Sequence, residues 1–117
     1  MYGLPKDFDE GFLINRTLEL ICFSMNQIFF HFDSHVSISV ENSFSYQKGP
    51  TDVEAKTKVP VVNSNLMELL QRTVVEARGD AEGTLTLVFD DKRVLKFFDQ
   101  PGYEAYSIEG AGKLIIV

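Results

Sequence analysis

The feature that most constrains the fold is a two-residue alternation of apolar and polar side chains in two neighbouring segments. Residues 36–41 read Val-Ser-Ile-Ser-Val-Glu, and residues 28–33 read Ile-Phe-Phe-His-Phe-Asp. Successive side chains of a strand point to opposite faces of a sheet, whereas a helix repeats about every 3.6 residues. Both segments are therefore predicted to be strands with one face on a core and the other toward water.

The second half of the chain repeats this pattern. Residues 85–90 (Leu-Thr-Leu-Val-Phe-Asp) align with residues 28–33 at an offset of 57, and residues 71–74 (Gln-Arg-Thr-Val) align with residues 15–18 (Asn-Arg-Thr-Leu) at an offset of 56. Each unit would leave an apolar face uncovered, which the other unit could cover. At 117 residues the chain predicts a single domain, 1–117, with an internal repeat of about 12–46 and 66–108.

The remaining signals place the other elements. Residues 17–23 and 73–78 are predicted strands, and Ser64 is expected to cap one short helix near 65–71. The first unit has residues 9–14 in the matching place, where Gly11 weakens any helix. Strands are expected over 103–108 and 113–117, joined by a turn, and the apolar run 114–117 predicts a buried strand.

The predicted fold class is mainly β (β-rich α+β), with eight to ten short strands in two pseudo-repeated hairpin units. These units pack as a sandwich or a partly open barrel. The turns at 33–35 and 90–92 are expected to hold His35 or Lys92 at positive φ. The link 47–63 is open to three interpretations: a mobile linker, an edge strand interrupted by Pro60, or a binding loop.

The charge balance limits the classes of partner. Seventeen Asp and Glu against eleven Lys and Arg give a net charge of −6, which disfavours nucleic acid and anionic membranes. The surface is either simply solvated or fitted to a protein partner with a basic surface. Cys22, the only cysteine, is expected to be a buried, inert thiol in a reducing compartment. Residues 1–11 lack the pattern of a signal peptide and no run spans a bilayer, so a cytoplasmic location is expected.

No cofactor, metal or catalytic site is predicted. His31 and His35 would lie about 13 Å apart on a straight strand at about 3.3 Å per residue, too far to bind one ion. A turn at Asp33 could bring them together, but the sequence offers no evident third protein ligand. The spacing of Asp90, Asp91 and Asp99 lacks the ligand pattern of a calcium loop. Neither histidine is expected beside Cys22, so a nucleophile–base pair is not indicated. The chain is therefore not expected to be an enzyme.

A candidate interaction patch combines the end of one predicted hairpin with a segment rich in tyrosine. Its residues are Tyr103, Glu104, Tyr106, Asp90 and Asp91. Packing is the other role open to the two tyrosines, because residues 103–106 begin a predicted strand.

These same residues carry a resemblance to a known family. Residues 85–91 (Leu-Thr-Leu-Val-Phe-Asp-Asp) and 103–106 (Tyr-Glu-Ala-Tyr) resemble a family of small bacterial domains of unknown function. That family has a Leu-Thr-Leu-x-Phe-x-Asp-Gly hairpin and ends in Tyr-Glu-Ala-Trp, so Lys92 and Tyr106 depart from its pattern. The likeness extends over residues 66–108 and more loosely over the first half, and it implies a fold similar to that of toxin-immunity proteins.

The expected function is that of a bacterial, cytoplasmic, non-catalytic protein-interaction module. An immunity-like inhibitor of a basic partner is one concrete form, because acidic inhibitors of nucleases gain association rate from charge complementarity. The alternative is a small-ligand binding domain that uses a cleft between the two halves. The oligomeric state is left open.

Overall fold

The computed structural model describes residues 3–49, 51–60, 64–100 and 104–117, which form two five-stranded antiparallel sheets in a sandwich-like arrangement. The strands in chain order are β1 (Leu18–Phe23), β2 (Ile28–Phe32), β3 (Ser37–Val40), β4 (Ser43–Gln47), β5 (Thr57–Lys58), β6 (Val74–Gly79), β7 (Leu85–Phe89), β8 (Val94–Phe97), β9 (Tyr106–Gly110) and β10 (Lys113–Ile116). The mainly β prediction is confirmed, and of its two arrangements the sandwich is observed.

The two sheets are built in the same way from exchanged pieces of the chain. Sheet 1 has the order β1-β2-β3-β9-β10, and sheet 2, read from its other edge, has the order β6-β7-β8-β4-β5. Each half of the chain gives its first three strands to one sheet and its last two strands to the other. Neither sheet is therefore complete without both halves.

A local pseudo-two-fold axis passes between Thr17 and Thr73, which form an isolated antiparallel bridge. Their hydroxyl oxygens lie 2.9 Å apart in a hydrogen bond. On either side, the amide of Leu18 donates to the carbonyl of Arg72 (3.0 Å) and the amide of Val74 donates to the carbonyl of Arg16 (2.9 Å). Each residue is related to its counterpart by the offset of 56 seen in the sequence. Descent of both halves from one ancestral unit stays a prediction.

The core lies between the sheets and follows the alternation in the sequence. Ile28, Phe30 and Phe32 are buried, whereas the intervening side chains of β2 are half-exposed. The ring of Phe30 in sheet 1 meets the ring of Phe97 in sheet 2 edge to face, with centroids 5.4 Å apart. Such pairs add packing energy to the burial of the rings themselves.

The predicted helix is a single 3₁₀ turn, Leu66–Leu69, and a second 3₁₀ turn, Glu10–Leu13, occupies the matching place in the first half. The hydroxyl of Ser64 accepts from the amide of Leu66 (3.0 Å), close to its predicted capping role. The short helical element predicted near 65–71 is confirmed, and the first half forms a second turn despite the low helix propensity of Gly11. Its amide donates to the Asp9 carboxylate (2.9 Å), which supports a turn too short to need high helix propensity.

The C-terminal strand corrects another prediction. The sequence predicts that residues 114–117 are buried on both faces, yet Leu114 is 62% exposed and Ile116 is 36% exposed. The cause is topological, because β10 is the outer strand of sheet 1 and these two side chains lie on its outward face. Only the inward neighbours Ile115 and Val117 reach the core.

The structure tests the predictions for the turns at 33–35 and 90–92 and for the link 47–63. His35 (φ 60°) and Lys92 (φ 72°) both take left-handed conformations, as predicted. The edge-strand interpretation of the link is confirmed at Thr57–Lys58, which pairs with β4. Residues 50 and 61–63 of that link lie outside the described residues.

Cys22 is half-buried on the outward face of β1, opposite Phe29, so the prediction of a buried thiol is wrong. A bulge between Leu18 and Leu20 shifts the inward positions of β1 to Ile21 and Phe23.

In the described part of the chain, no helix has the length and apolar character needed to cross a membrane.

Candidate functional site

The four residues of the predicted interaction patch that the structure describes, Glu104, Tyr106, Asp90 and Asp91, do not lie together on one surface. Tyr106 is only 2% exposed, and its hydroxyl donates to the carbonyl of Gly83 (2.6 Å) at the Leu85 end of β7. Its inclusion in a surface patch is wrong, because the alternation of β9 points Tyr106 and Ile108 into the core. Tyr106 is a packing residue.

The two aspartates of that patch lie at the opposite end of β7, in the turn after Phe89. Five residues of strand separate the two ends by roughly 16 Å. Asp90 is exposed, whereas the Asp91 carboxylate accepts from Nε of Arg93 (2.6 Å) and lies 3.5 Å from Nε of Arg72. Glu104 is exposed, and Tyr103 lies outside the described residues.

Arg93 continues this ion pair into a half-buried polar network. It donates to the hydroxyl of Tyr46 (2.5 Å) and to the carboxylate of Glu68 (3.2 Å), and Tyr46 donates to the same carboxylate (2.9 Å). Burial and the bond to Glu68 raise the pKa of Tyr46 to about 12. The hydrogen bond from Tyr46 is the main cause that lowers the pKa of Glu68. This network joins the second 3₁₀ turn to β4 and to Arg93, the residue before β8, which is a structural role.

A second group of charges lies around an open cleft of about 600 Å³ at the end of the sandwich where Tyr106 meets Gly83. The N-terminal segment before β1 forms one wall, and the turn between β6 and β7 forms the other. We call it the acidic cleft. Its lining residues are Gly3, Leu4, Pro5, Lys6, Phe8, Glu10, Gly79, Asp80, Ala81, Glu82, Gly83 and Asp99.

Backbone amides hold two of the cleft carboxylates in place. One oxygen of Asp80 accepts from the amides of Glu82 (2.9 Å) and Thr84 (3.0 Å). One oxygen of Glu10 accepts from the amide of Gly79 (3.0 Å), which ties the N-terminal wall to the end of β6. A carboxylate held by amide donors is ordered before a ligand arrives, so less conformational entropy is lost on binding.

The cleft also depends on two glycines. Gly83 has φ +84°, and a Cβ at this position would lie 2.8 Å from Cβ of Asp99. A Cβ on Gly79 would lie 2.6 Å from a methyl carbon of Leu4. The turn therefore approaches the N-terminal wall closely at Gly79 and approaches Asp99 closely at Gly83, because neither position carries a side chain.

Of the described residues that line the cleft, four carry carboxylates (Glu10, Asp80, Glu82 and Asp99) and one, Lys6, carries an ammonium group, which gives the cleft its acidic character. Burial raises the pKa of the underlying Tyr106, and the charges of Asp99 and Asp80 raise it further. Carboxylates in this arrangement can accept hydrogen bonds from ammonium or guanidinium groups. Among the described residues, no three His, Cys, Asp or Glu side chains are grouped closely enough to hold a metal ion.

The candidates predicted from the sequence do not include this site. No motif marks Glu10, Asp80 or Glu82, and Asp99 is weighed there only as a calcium ligand. A local signal exists in the Gly-Asp-Ala-Glu-Gly turn at 79–83, where two carboxylates stand between glycines. The approach of the N-terminal segment to that turn is a tertiary feature with no local signal.

Comparison with known proteins gives one match. A family model described as a family of unknown function (DUF6188) matches residues 13–117, which include all ten strands and exclude every described N-terminal residue that lines the acidic cleft, from Gly3 to Glu10. No curated protein and no solved structure matches the chain. The resemblance to a domain family of unknown function is thus confirmed at that level, while its motifs and the likeness to immunity proteins stay predictions. Because the match covers most of the sequence, the chain belongs to the family of unknown function DUF6188.

Proposed function

We propose that the protein is a non-catalytic interaction module that binds a basic protein partner at the acidic cleft. The observation that carries the proposal is the pair of amide-held carboxylates, Asp80 and Glu10, within a lining of four carboxylates and one ammonium group. Lysine or arginine side chains of a partner would find ordered acceptors there.

The charge of the whole chain supports the same partner. A net charge of −6 attracts a basic surface over a distance and raises the association rate, and salt weakens this attraction. The exposed Asp90 and Glu104 add to the long-range field but lack an arrangement like that of the cleft. They make a matched control for the test.

The test measures binding of a fluorescent arginine-rich peptide to the full chain by anisotropy. The Asp80→Asn/Glu82→Gln variant removes two charges, and the asparagine side chain still has an oxygen that can accept the two amide hydrogen bonds. Exposed ion pairs contribute about 0.2–1 kcal/mol each, so this variant should bind about twofold to thirtyfold more weakly. The Asp90→Asn/Glu104→Gln variant has the same net charge and should bind nearly as well as the wild type. Equal weakening in both variants would mean that only net charge matters, and the cleft would not be the site.

One form of this proposal is immunity-like inhibition, in which the cleft covers the positively charged substrate-binding surface of a toxin. Its test is co-purification of the tagged chain from its own cells, together with inspection of the neighbouring genes. Retrieval of no basic protein, and neighbours that encode no toxin, would remove this form while leaving the peptide result unaffected.

A cationic small molecule is the second candidate ligand. A volume of about 600 Å³ lies within the roughly 300–1,000 Å³ of typical small-molecule sites. The cleft lies beside the N-terminal segment, whereas the space between the two halves is filled by core side chains. Thermal shift with polyamines separates the candidates, since a ligand stabilises the folded state that binds it. No shift at millimolar polyamine would leave the protein partner as the sole candidate.

A further inference from the structure

The outer edges of the two sheets differ although they are pseudo-equivalent. In sheet 2 the edge strand β5 has two residues, both polar and exposed, and Pro60 follows it. In sheet 1 the edge strand β10 has four residues and exposes Leu114 and Ile116. Short length, lysine and proline are the usual means by which proteins prevent edge strands from pairing. The edge at β5 has all three features, whereas β10 has only Lys113.

The outward faces of the two sheets also differ, because the links beside them differ in length. Over sheet 2, the link between β4 and β5 places Glu54 against Lys96 (3.3 Å), and Ser45 and Thr86 are buried. The corresponding link between β9 and β10 is the tight turn at Ala111 and Gly112, which is too short to cross the outward face of sheet 1. Two cross-strand rows of side chains form the outward face of sheet 1. The first row contains Cys22, Phe29, Ser39, Ser107 and Ile116. The second row contains Leu20, His31, Ser37, Glu109 and Leu114.

The backbone of β10 has a defined set of unused groups. Alternate residues of β10 bond to β9: Lys113 lies opposite Gly110, and Ile115 lies opposite Ile108. The same alternation continues at Val117, whose amide donates to the carbonyl of Tyr106 (2.9 Å). Hydrogen-bonding direction alternates along an antiparallel strand. The amides and carbonyls of Leu114 and Ile116 therefore point away from β9, at the same two residues whose side chains are exposed.

We propose that β10 pairs with β10 of a second copy of this chain, antiparallel about a two-fold axis at Ile115, so that the two copies of sheet 1 form one continuous sheet. In this register Leu114 faces the partner's Ile116 and Ile116 faces the partner's Leu114. Both residues have their free amide and carbonyl on this side, so each pair can form two backbone hydrogen bonds. A register centred on Leu114 would pair Ile116 with Gly112, a turn residue at φ +75°. Self-pairing of β10 therefore favours the register centred on Ile115 over the register centred on Leu114.

The charges at this edge are compatible with self-association of an acidic chain. With a rise of about 3.3 Å per residue and strands about 4.8 Å apart, the two Lys113 positions would lie about 14 Å from each other and the two Glu109 positions about 16 Å. Both separations exceed a Debye length of about 8 Å at physiological salt. The acidic cleft is a separate site, so this inference is independent of the proposed function.

The test is sedimentation velocity of the full chain over a range of concentrations, with two matched variants. Leu114→Lys and Leu20→Lys each place a lysine on the outward face of sheet 1, but Leu20 belongs to β1 at the other edge. We expect wild type and Leu20→Lys to form a dimer that dissociates on dilution, and Leu114→Lys to weaken it by about tenfold or more, because lysine blocks strand addition at an edge. A wild type that stays monomeric at every concentration overturns the proposal, as does equal weakening by both variants.

Amide hydrogen exchange then locates the interface. The amides of Leu114 and Ile116 should exchange rapidly in dilute wild-type protein and slowly at concentrations where the dimer forms, whereas the amide of Ile115 should be protected throughout. A dimer in which the Leu114 and Ile116 amides still exchange rapidly would contradict the pairing.

Discussion

Single residues in this protein are constrained chiefly by backbone conformation and by hydrogen bonds at the cleft. Gly83 illustrates both, because its φ of +84° is left-handed and its carbonyl accepts from buried Tyr106. Asp80 precedes it and binds two amides of the same turn. The shape of the acidic cleft therefore depends on a few residues that a substitution can test one at a time.

Replacing Gly83 with alanine should destabilise the fold. A left-handed alanine costs about 1–2 kcal/mol, and the added Cβ would lie 2.8 Å from Cβ of Asp99. We expect the free energy of unfolding, measured with urea, to fall by at least about 1 kcal/mol. The control is Gly49→Ala, whose Cβ would meet nothing within 4 Å and whose φ is not left-handed. A Gly83→Ala variant as stable as this control would contradict the described turn.

The raised pKa of Tyr46 predicts a pH dependence of stability. In the unfolded chain this phenol loses its proton near pH 10, whereas in the folded protein its pKa is about 12. The stabilising contribution is therefore fully present below pH 10 and is lost as the pH rises from 10 to 12. We expect the stability difference between wild type and Tyr46→Phe, measured by urea unfolding, to shrink over this window. A difference that stays constant from about pH 9 to about pH 12 would contradict the burial of the Tyr46 hydroxyl and its hydrogen bond to Glu68.

Elements were predictable wherever one face is buried and the other is solvated. The alternation at residues 28–33 predicted β2, whose inward side chains are buried and whose outward side chains are half-exposed. The repeat extended this prediction to β7, where the outward side chain of Thr86 is buried as well. The same rule was wrong for residues 114–117, where an apolar composition was interpreted as burial. Position at a sheet edge depends on topology, and a run of apolar residues carries no information about which strand lies beside it. Tyr106 shows the converse, because its place in a tyrosine-rich segment left both a surface role and a packing role open, and the side chain is buried and hydrogen-bonded.

The exchange of strands between sheets is a property of the whole molecule. The repeat predicted that the halves cover each other, but strand pairing across halves, such as β3 with β9 and β4 with β8, lies beyond any local pattern. The acidic cleft is of the same kind, because Glu10 and Gly79 are 69 residues apart in sequence. Composition predicted an acidic surface, and only the fold concentrates part of it in one place.

This exchange predicts that neither half folds alone as a monomer. A fragment of residues 1–60 lacks β9 and β8, which pair with β3 and β4, and a fragment of residues 64–117 lacks β4 and β3, which pair with β8 and β9. We expect each fragment to show the circular dichroism of an unfolded or self-associated chain, and an equimolar mixture to recover the strand signal and a cooperative thermal transition. Cooperative unfolding of either fragment as a monomer would contradict the exchanged architecture.

The central claim is that basic groups bind at the acidic cleft, and nuclear magnetic resonance tests it residue by residue. Titration of the isotope-labelled full chain with the arginine-rich peptide should shift the amides of Gly79, Glu82 and Gly83 first and most. The amides of Asp90 and Glu104, which also belong to acidic segments of the surface, should shift little. Shifts spread evenly over all acidic segments, or largest at Asp90 and Glu104, would contradict the claim.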